Sequence, residues 1–330
     1  MIIYRELSSL SQDLGFRPQT LYAVSNHLEK HYRRVQLPKN GGGCRSLSVP
    51  DPILKAIQRQ ITDILLIHMP VSQFATAYRC GSSVMHNATP HIGKDMVLKL
   101  DILHFFDSIR YSAVKDAAFP PQIYAEPLRI LLAMLCYYRD SLPQGAPSSP
   151  AISNILLYSF DQQIGQWCAE RGIAYTRYCD DMTFSANRPL YGVYQKVKTM
   201  LREMGFELNE SKTHFIGNDN RQSVTGLVVN EKLSIPSSYK RDLRQEVYYA
   251  LKFGVEDSVL HGHRSDFVED GRPICCPTYM LHLMGKVQYV LQIEPENLWF
   301  KDAQKKLLAY IYEHYSESLS YYLHFNKNGK

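Results

Sequence analysis

Two neighbouring aspartates between two short β-prone segments constrain this chain more than any other feature. Residues 175–185 read YTRYCDDMTFS, so apolar and β-branched residues flank the polar pair Asp180-Asp181. This pattern predicts a β-hairpin that carries both carboxylates at its tip. Because Asp is a common turn residue, the pair by itself would more often mark a solvated turn. A further acidic residue is needed to indicate chemistry.

A third acidic residue lies well upstream, near the end of an apolar segment. Residues 96–102 read MVLKLDI, which is typical of a buried β-strand, and include Asp101. If this strand lies beside the hairpin, Asp101 meets Asp180 and Asp181 at one edge of a sheet. Carboxylates a few ångströms apart repel one another strongly, so such a cluster requires a compensating cation. Because Mg²⁺ prefers carboxylate, phosphate and water oxygens, the pattern predicts a site for phosphoryl transfer.

The segment between the two acidic elements contains a rigid loop. Residues 142–150 read LPQGAPSSP and precede a helix-like run over residues 151–157. Small residues allow a flat ligand to approach the backbone closely, and a helix N-terminus favours a nearby phosphate. An ordinary loop before a buried helix explains the same composition, since Pro and Gly occur in most loops.

In chain order, these segments resemble motifs A, B and C of the reverse transcriptases. The matching residues are Asp101 with Phe106 for motif A, residues 144–150 for motif B and residues 178–181 for motif C. Two further matches are residues 205–209 with Lys212 for motif D, and residues 39–43 with Arg45 and Pro50 for the fingers segment that closes over an incoming nucleotide. The five motifs occur in the family's order, which makes the resemblance specific.

Two short signatures point to one branch of that family. Residues 87–91 match the Asn-Ala-x-x-His pattern of the retron reverse transcriptases, and residues 224–226 match their Val-Thr-Gly pattern. Either signature is weak alone, but both occur in the expected places. Two alternatives remain open. One is another bacterial reverse transcriptase, group II intron-like or defence-associated, and the other is a non-catalytic RNA–DNA scaffold that restrains an effector.

The resemblance implies an α+β fold with the right-hand architecture of polymerases: fingers, a palm with an antiparallel sheet and helices, and a mostly helical thumb. We expect an N-terminal helical segment at residues 1–35, the fingers and palm at residues 36–235, and an RNA- or template–primer-binding thumb at residues 236–330. The glycines at 41–43 would turn a fingers hairpin, and residues 52–68 have the apolar spacing of a helix.

The resemblance also assigns roles to the acidic cluster. Asp101, Asp180 and Asp181 would be the catalytic residues. Two Mg²⁺ ions would be held mainly by Asp101 and Asp180, with Asp181 nearby and the Ile102 carbonyl as a further oxygen. The substrates would be deoxynucleoside triphosphates.

Six residues are expected to contact the incoming nucleotide: Lys39, Arg45, Phe106, Gln144, Gly145 and Lys212. The two fingers cations would reach the triphosphate, and Lys212 would protonate the leaving pyrophosphate. The ring of Phe106 would leave no room for a 2′-hydroxyl and so select deoxynucleotides. Plainer interpretations exist, because exposed Lys and Arg are usually only solvated and Phe is often a core residue.

The resemblance further implies an RNA partner. Asn87, His91, Val224, Thr225 and Gly226 are the expected RNA contacts, although a structural, hydrogen-bonded histidine is the commoner arrangement for His91. A retron enzyme binds its structured noncoding RNA and primes from a guanosine 2′-hydroxyl. It makes a branched RNA–DNA hybrid, called msDNA. Its usual partner is a separately encoded effector in anti-phage defence.

Composition agrees with a globular enzyme and excludes few functions. At 330 residues and 45% hydrophobic content, the chain is long enough to bury a sizeable core. No apolar run approaches the length of a membrane span, and seven cysteines without metal-ligand spacing suggest a reducing cytoplasm. The net charge of +5 is mild for a nucleic-acid-binding protein, so charge alone leaves the partner open.

Overall fold

The computed structural model describes residues 3–38, 42–262, 265–269, 272–273 and 276–328. The chain forms two compact units, Met1–Gln222 and Ser223–Lys330. Helices and an antiparallel sheet occur together, which confirms the predicted α+β class. The three functional segments, with boundaries after residues 35 and 235, stay a prediction. Within the described ranges, no helix combines the length and apolar character that crossing a membrane requires.

The first unit alternates helices and strands. Its α-helices are α1 Leu7–Leu14, α2 Pro18–Asn26, α3 Leu28–His31, α4 Pro52–Gln60, α5 Val84–Ala88, α6 Phe105–Ser108, α7 Tyr111–Ala118, α8 Glu126–Cys136, α9 Ser149–Leu156, α10 Tyr158–Ala169 and α11 Tyr191–Glu203. Its strands are β1 Tyr32–Pro38, β2 Cys44–Pro50, β3 Met96–Asp101, β4 Ala174–Tyr178, β5 Asp181–Ala186 and β6 His214–Gly217. Short 3₁₀ turns cover Leu66–His68, Thr89–His91 and Glu210–Lys212.

The central sheet places the ends of its strands at a common edge. Four antiparallel strands lie in the order β4-β5-β3-β6. Leu98 of β3 pairs with Phe184 of β5, and both side chains are fully buried in the main apolar core. Leu100 and Met182 extend that core along the same two strands. Burial of these residues fixes the register, because a shift by one residue would turn every core side chain towards the opposite face.

The hairpin of β1 and β2 replaces part of the helix expected at the N-terminus. The prediction of helix through residue 35 is wrong at its end, because Tyr32 already begins β1 and pairs with Pro50. The Tyr32 ring stacks on Tyr138 at 4.3 Å between centroids, a long-range contact that helical spacing does not reveal. Of the predicted glycine turn, Gly41 lies outside the described residues.

The predicted helix over residues 52–68 is confirmed as a helical stretch, but not as one regular α-helix. Asp51 caps its start, with Oδ1 accepting a hydrogen bond from the Leu54 N–H at 2.9 Å. The α-helical pattern ends at Gln60, and a π-helical turn, Ile61–Leu65, follows. Ile57 and Ile61 are fully buried, so the apolar face continues through the change of pitch.

The second unit is mostly helical, as predicted for that part of the chain. Its elements are β7 Ser223–Val224, β8 Leu227–Val228, α12 Ser237–Phe253, α13 Val255–His261, β9 Val268–Glu269, β10 Arg272–Pro273, α14 Cys276–Ile293 and α15 Leu298–Asn328, with a 3₁₀ turn at Ser265–Phe267. Its core is formed by Leu243, Val247, Leu283, Val287 and Phe300. Tyr315 has a non-helical backbone within α15 and marks a kink.

Candidate active site

Two aspartates lie at the end of the β4–β5 hairpin, as the sequence predicts. Tyr178 pairs with Asp181, so Cys179 and Asp180 form a two-residue turn. Cys179 has a φ of +63°, a left-handed conformation that is costly for a residue with a side chain. Burial raises the pKa of the Cys179 thiol to about 12, so this residue stays in its neutral form at physiological pH.

The third aspartate reaches the same edge through β3. Asp101 is the direct partner of Asp181 in the antiparallel register, and the Ile102 N–H donates to the Asp180 carbonyl at 3.3 Å. Asp101 is only 4% exposed, whereas Asp181 keeps access to solvent. The three residues therefore lie at one edge of the sheet, while their joint binding of a metal and their catalytic roles stay predictions.

A lysine and an asparagine hold the Asp101 carboxylate. The Lys212 Nζ lies 2.8 Å from Oδ2, and the Asn209 Nδ2 donates to Oδ1 at 3.0 Å. The hydrogen bond with Asp101 raises the pKa of Lys212. The short 3₁₀ turn Glu210–Lys212 thus brings the lysine predicted for motif D directly to the acidic cluster.

The donor atoms of this cluster suit a hard divalent cation. The pKa of Asp181 is raised to about 6, first by loss of solvation and then by the charges of Asp180 and Asp101. The charge of Lys212 acts in the opposite direction and lowers this pKa. In the described part of the chain, no three acidic, His or Cys side chains are already gathered around one point. The residues fit a cation chemically, and Lys212 provides positive charge at Asp101 in this structure.

A buried polar network supports the hairpin from below. The Arg177 guanidinium and the Asp161 carboxylate are both fully buried, with Nη2 and Oδ2 2.6 Å apart. Arg177 Nη1 also donates to the Cys179 carbonyl at 2.8 Å and to Asn154 Oδ1 at 3.1 Å. The Tyr175 hydroxyl donates to Asp161 Oδ1 at 2.7 Å. The sequence analysis missed this network, although an Arg within a β-prone run was the available signal.

Tyr78 is a second residue that the sequence analysis missed. Its φ is +56°, and 59% of the residue is exposed. Partial burial raises its pKa, and a hydrogen bond with Cys179 and the charge of Asp180 add to this rise. The exposed ring therefore lies beside the hairpin tip. No sequence motif marks this position.

The loop predicted to border the nucleotide contacts strand β2. The Ser48 N–H donates to the Gln144 carbonyl at 2.8 Å. Gly145 has a φ of +116°, and a β-carbon at this position would stand 2.9 Å from the Ser48 oxygen. Only glycine satisfies both requirements here. The same loop reaches motif A, because the Leu142 N–H donates to the Phe106 carbonyl at 3.1 Å.

The remaining predicted nucleotide contacts are Phe106, Arg45 and Lys39, of which the structure describes the first two. Phe106 is half-buried, packs against the core and meets the edge of Phe105 at 5.3 Å, so both interpretations of its ring remain open. Arg45 is exposed on β2 opposite Leu37. Lys39 lies outside the described residues.

The two predicted RNA contacts in the first unit lie inside the protein. His91 is completely buried between Ser185 Oγ at 2.7 Å and Thr176 Oγ1 at 2.9 Å. Asn87 is 2% exposed, and its Oδ1 accepts a hydrogen bond from Thr76 at 2.7 Å. A direct RNA contact by either side chain is therefore wrong for this structure. The Asn-Ala-x-x-His signature instead braces the strands β4 and β5 from within.

The Val-Thr-Gly signature forms a tight turn between β7 and β8. Val224 pairs with Leu227 and is buried, so its side chain is not available to RNA. Thr225 and Gly226 have φ values of +46° and +85°, as the two central residues of a type I′ hairpin turn require. Within the signature, Thr225 is half-buried and Gly226 is exposed.

Comparison with known proteins places the chain among reverse transcriptases. The family described as reverse transcriptase (RNA-dependent DNA polymerase) matches residues 37–230. The Retron Ec83 reverse transcriptase of Escherichia coli is 36% identical over 234 residues, which cover 66% of this chain and 75% of that protein. The Retron Mx65 reverse transcriptase of Myxococcus xanthus is 32% identical over 319 residues, covering 89% and 70% of the two chains.

A solved structure of Candida tropicalis telomerase with a fragment of telomeric RNA aligns with a TM-score of 0.49 and 12% identity. The alignment covers 88% of this chain but only 58% of that one, so this chain spans less than two thirds of the telomerase. The family match and the retron relatives carry the assignment without it. Reverse transcriptases use divalent metal ions and deoxynucleoside triphosphates. This chain belongs to the retron reverse transcriptases and is an RNA-directed DNA polymerase.

Proposed function

We propose that this enzyme binds a structured noncoding RNA and copies part of it into single-stranded DNA. Synthesis starts from the 2′-hydroxyl of a guanosine and gives a branched RNA–DNA hybrid, the msDNA. The single observation that carries the chemical part is the pairing of Asp101 with Asp181 at the hairpin edge. The retron relatives support the RNA and product assignments.

In this proposal the acidic cluster holds two Mg²⁺ ions. Asp101 and Asp180 are the principal ligands, with Asp181 and the Ile102 carbonyl as further oxygen donors. When bound, the ions lower the pKa of the primer hydroxyl and stabilise charge on the triphosphate. The protein's own part is to present its carboxylates from two paired strands, so that their relative position is fixed before substrate arrives.

Lys212 is the proposed proton donor to the leaving pyrophosphate. Its raised pKa keeps the ammonium protonated at neutral pH, and its side chain is 60% exposed towards solvent. A lysine in contact with Asp101 lies within reach of groups bound at the cluster. General acids of this kind typically contribute about 10²- to 10⁴-fold to a rate.

The other nucleotide contacts are proposed by position. Gln144 and Gly145 border the nascent base pair, and Arg45, with Lys39, reaches the triphosphate. Phe106 lies where its ring would exclude a ribose 2′-hydroxyl. Replacing the ring in Phe106→Ala should raise the incorporation of ribonucleotides relative to deoxynucleotides, measured by primer extension with each nucleotide alone. An unchanged ratio would show that Phe106 is a core residue only; Phe105→Ala provides the matched control.

The functional segments and partners are likewise proposals. Residues 1–35 are the N-terminal segment, residues 36–235 the fingers and palm, and residues 236–330 the thumb that binds RNA or template–primer. The exposed turn Thr225-Gly226 is the part of the Val-Thr-Gly signature available for RNA selection. A separately encoded effector is the proposed protein partner in anti-phage defence, with the cytoplasm as the site of action.

Sequencing the nucleic acid that copurifies with the enzyme tests this function. The expected result is a short branched hybrid whose DNA depends on intact Asp180, with debranching enzyme needed to release a linear product. Spliced intron RNA would identify a group II intron-like enzyme instead. Copurified RNA without DNA, together with no primer extension in Mg²⁺, would favour the scaffold alternative.

A further inference from the structure

A positively charged groove lies between the β1–β2 hairpin and helix α4. Its walls include Arg33 from β1, Val49 and Pro50 from β2, and Lys55 and Arg59 from α4. The groove encloses about 590 Å³. None of these residues belongs to the acidic cluster or to the predicted nucleotide contacts.

The three cations of the groove have no acidic partner among the described residues. Arg33, Lys55 and Arg59 are all exposed, and no ion pair with any of them is present in the described ranges. This differs from Arg129, Lys198 and Lys212, each of which contacts a carboxylate within 3 Å. Positive charge is therefore available in the groove for a ligand.

The one acidic residue that lines the groove is already engaged. Asp51 Oδ2 contacts His31 Nδ1 at 2.8 Å, and its Oδ1 accepts the N–H of Leu54 at 2.9 Å as the cap of α4. Because a helix N-terminus stabilises negative charge, the Asp51 carboxylate is held by its own helix. It forms no ion pair with the three cations and offsets at most one of their three charges.

The three cations lie on packed secondary structure, helix α4 and strand β1. Lys55 and Arg59 are four residues apart and therefore lie on one face of α4, about 6 Å apart along its axis. The opposite face is anchored by Leu54 and Ile57, both fully buried. Arg33 is fixed by the pairing of its strand, opposite Val49. Three cations thus converge on one concave surface.

The groove is continuous with the nucleotide loop through strand β2. Ser48, next to Val49 in the chain, donates its N–H to the Gln144 carbonyl. The strand that forms one wall of the groove therefore also contacts the loop proposed to border the nascent base pair. A strand of nucleic acid leaving that loop along β2 would meet the three cations.

We infer that this groove is an RNA-binding surface that contacts backbone phosphates outside the acidic cluster. The inference rests on the proposed function, in which the chain binds RNA. Several separate, exposed cations on an open surface suit a polyanion, because each neutralised phosphate releases counterions and adds to affinity. Two of the three cations are arginines, and one guanidinium group can donate hydrogen bonds to two oxygens of the same phosphate.

Salt-dependent RNA binding tests the groove directly. The probe is a fluorescent RNA hairpin with a single-stranded 3′ extension, measured by anisotropy without nucleotides or divalent ions. The triple variant Arg33→Gln/Lys55→Gln/Arg59→Gln should bind at least about tenfold more weakly at low salt. Its plot of log affinity against log salt should be shallower by about two to three, since each phosphate contact contributes roughly 0.7 to 0.9 to the slope.

Two further triple variants separate local charge from net charge and from folding. Lys196→Gln/Arg202→Gln/Arg221→Gln removes three exposed cations elsewhere in the first unit and should keep most of the affinity and slope. Arg33→Lys/Lys55→Arg/Arg59→Lys preserves the groove's charge and should bind nearly like the wild type. The inference would be overturned if Arg33→Gln/Lys55→Gln/Arg59→Gln bound the RNA as tightly as Lys196→Gln/Arg202→Gln/Arg221→Gln. Equal losses in the neutral and charge-preserving groove variants would also overturn it.

Failure of this inference is distinguishable from failure of the proposed function. Suppose that the enzyme makes branched DNA, but that the groove variant and the Lys196→Gln/Arg202→Gln/Arg221→Gln control bind RNA with equal affinity. That result would refute RNA binding by the groove alone. An enzyme that neither copurifies with RNA nor extends a primer would refute the proposed function itself.

Discussion

Two aspartate–cation pairs in the first unit have nearly the same contact distance but very different surroundings. Arg177 and Asp161 are 2.6 Å apart and both fully buried. Lys212 and Asp101 are 2.8 Å apart, but the lysine side chain is 60% exposed. The first pair lies under the β4–β5 hairpin and the second lies at its edge. Burial, rather than contact distance, distinguishes the two.

The buried pair is a fixed support. Arg177 distributes its donors among Asp161, Asn154 and the Cys179 carbonyl, so each partner is satisfied without water. Removing either member would leave a buried charge unpaired, which is strongly unfavourable. The pair therefore holds the left-handed turn at Cys179, and through it the direction in which Asp180 leaves the sheet.

The pair at the edge is exchangeable. Water can solvate the exposed Lys212 ammonium, and arriving cations can take its place at the buried Asp101 carboxylate, so this pair separates at lower cost than the fully buried Arg177–Asp161 pair. The site therefore combines a buried ion pair that fixes the hairpin with an exposed lysine that can leave Asp101. Four measurements can break or sharpen this distinction.

Removal of a carboxylate should have the largest effect. We expect Asp180→Ala to lower the rate of primer extension by at least ~10³-fold, because preorganised charge stabilisation is lost. Its midpoint of denaturant unfolding should stay close to that of the wild type. Asp107→Ala, which removes an exposed acid close in sequence to Phe106, is the control and should stay active. Full activity of Asp180→Ala at matched RNA binding would remove the basis of the polymerase assignment.

Breaking the buried pair should cost stability as well as activity. Arg177→Met is expected to lower the free energy of unfolding by about 3–5 kcal/mol, since Asp161 is left charged and unpaired. The double variant Arg177→Met/Asp161→Leu should recover much of that stability but not the rate, because the Cys179 carbonyl still lacks its donor. Denaturant unfolding and primer extension on both variants check this. Recovery of the full rate would show that the hairpin does not depend on Arg177.

Removing the exchangeable lysine should show the opposite balance. Lys212→Met is expected to slow single-turnover extension by about 10²-fold, the lower range for loss of a general acid. The free energy of unfolding should fall by less than the about 3–5 kcal/mol expected for Arg177→Met, because Lys212 is exposed and Asn209 still donates to the Asp101 carboxylate. Lys198→Met, which removes a 2.6 Å surface pair with Glu210, is the matched control. Equal rates for the two variants would assign Lys212 to surface charge only.

The effect that should be smallest at neutral pH is the pH dependence of stability near β4 and β5. Burial lowers the pKa of His91 to about 3, with the charge of Lys94 adding to the effect. Because the unfolded chain binds this proton more readily, the stability from neutral His91 is complete above about pH 6.5 and is lost as the pH falls towards 3.

Between these limits His91 contributes a slope of up to about 1.4 kcal/mol per pH unit to the free energy of unfolding. His91→Gln should therefore show a shallower decline on the acid side in denaturant titrations at several pH values. The exposed His68→Gln should keep the slope of the wild type. A His91→Gln slope equal to that of His68→Gln would indicate that His91 is not held neutral in the folded protein.

The sequence predicts the sheet edge well because its signals are local. Alternating and apolar runs around Asp101 and Asp180 specify strands, and burial of Leu98 and Phe184 on both strands then fixes the register. The loop at Gln144-Gly145 is likewise visible from its composition. Family motifs supply what local patterns cannot, namely that these strands are neighbours.

What the sequence does not reveal depends on contacts between distant residues. Arg177 and Asp161 are 16 positions apart, and neither charge looks buried in the sequence. His91 and Asn87 carry a signature that suggests an RNA contact, yet tertiary packing encloses both side chains. Tyr32 fits a helical spacing but joins a strand, because its pairing with Pro50 prevails over that weak preference.

The close approach at Gly145 couples two parts of the enzyme mechanically. A β-carbon at position 145 would stand only 2.9 Å from the backbone oxygen of Ser48, so no space remains between strand β2 and the loop. A displacement of strand β2 would therefore displace the loop as well. Variants that enlarge position 145 should therefore push strand β2 and the loop apart while leaving every residue of the acidic cluster intact.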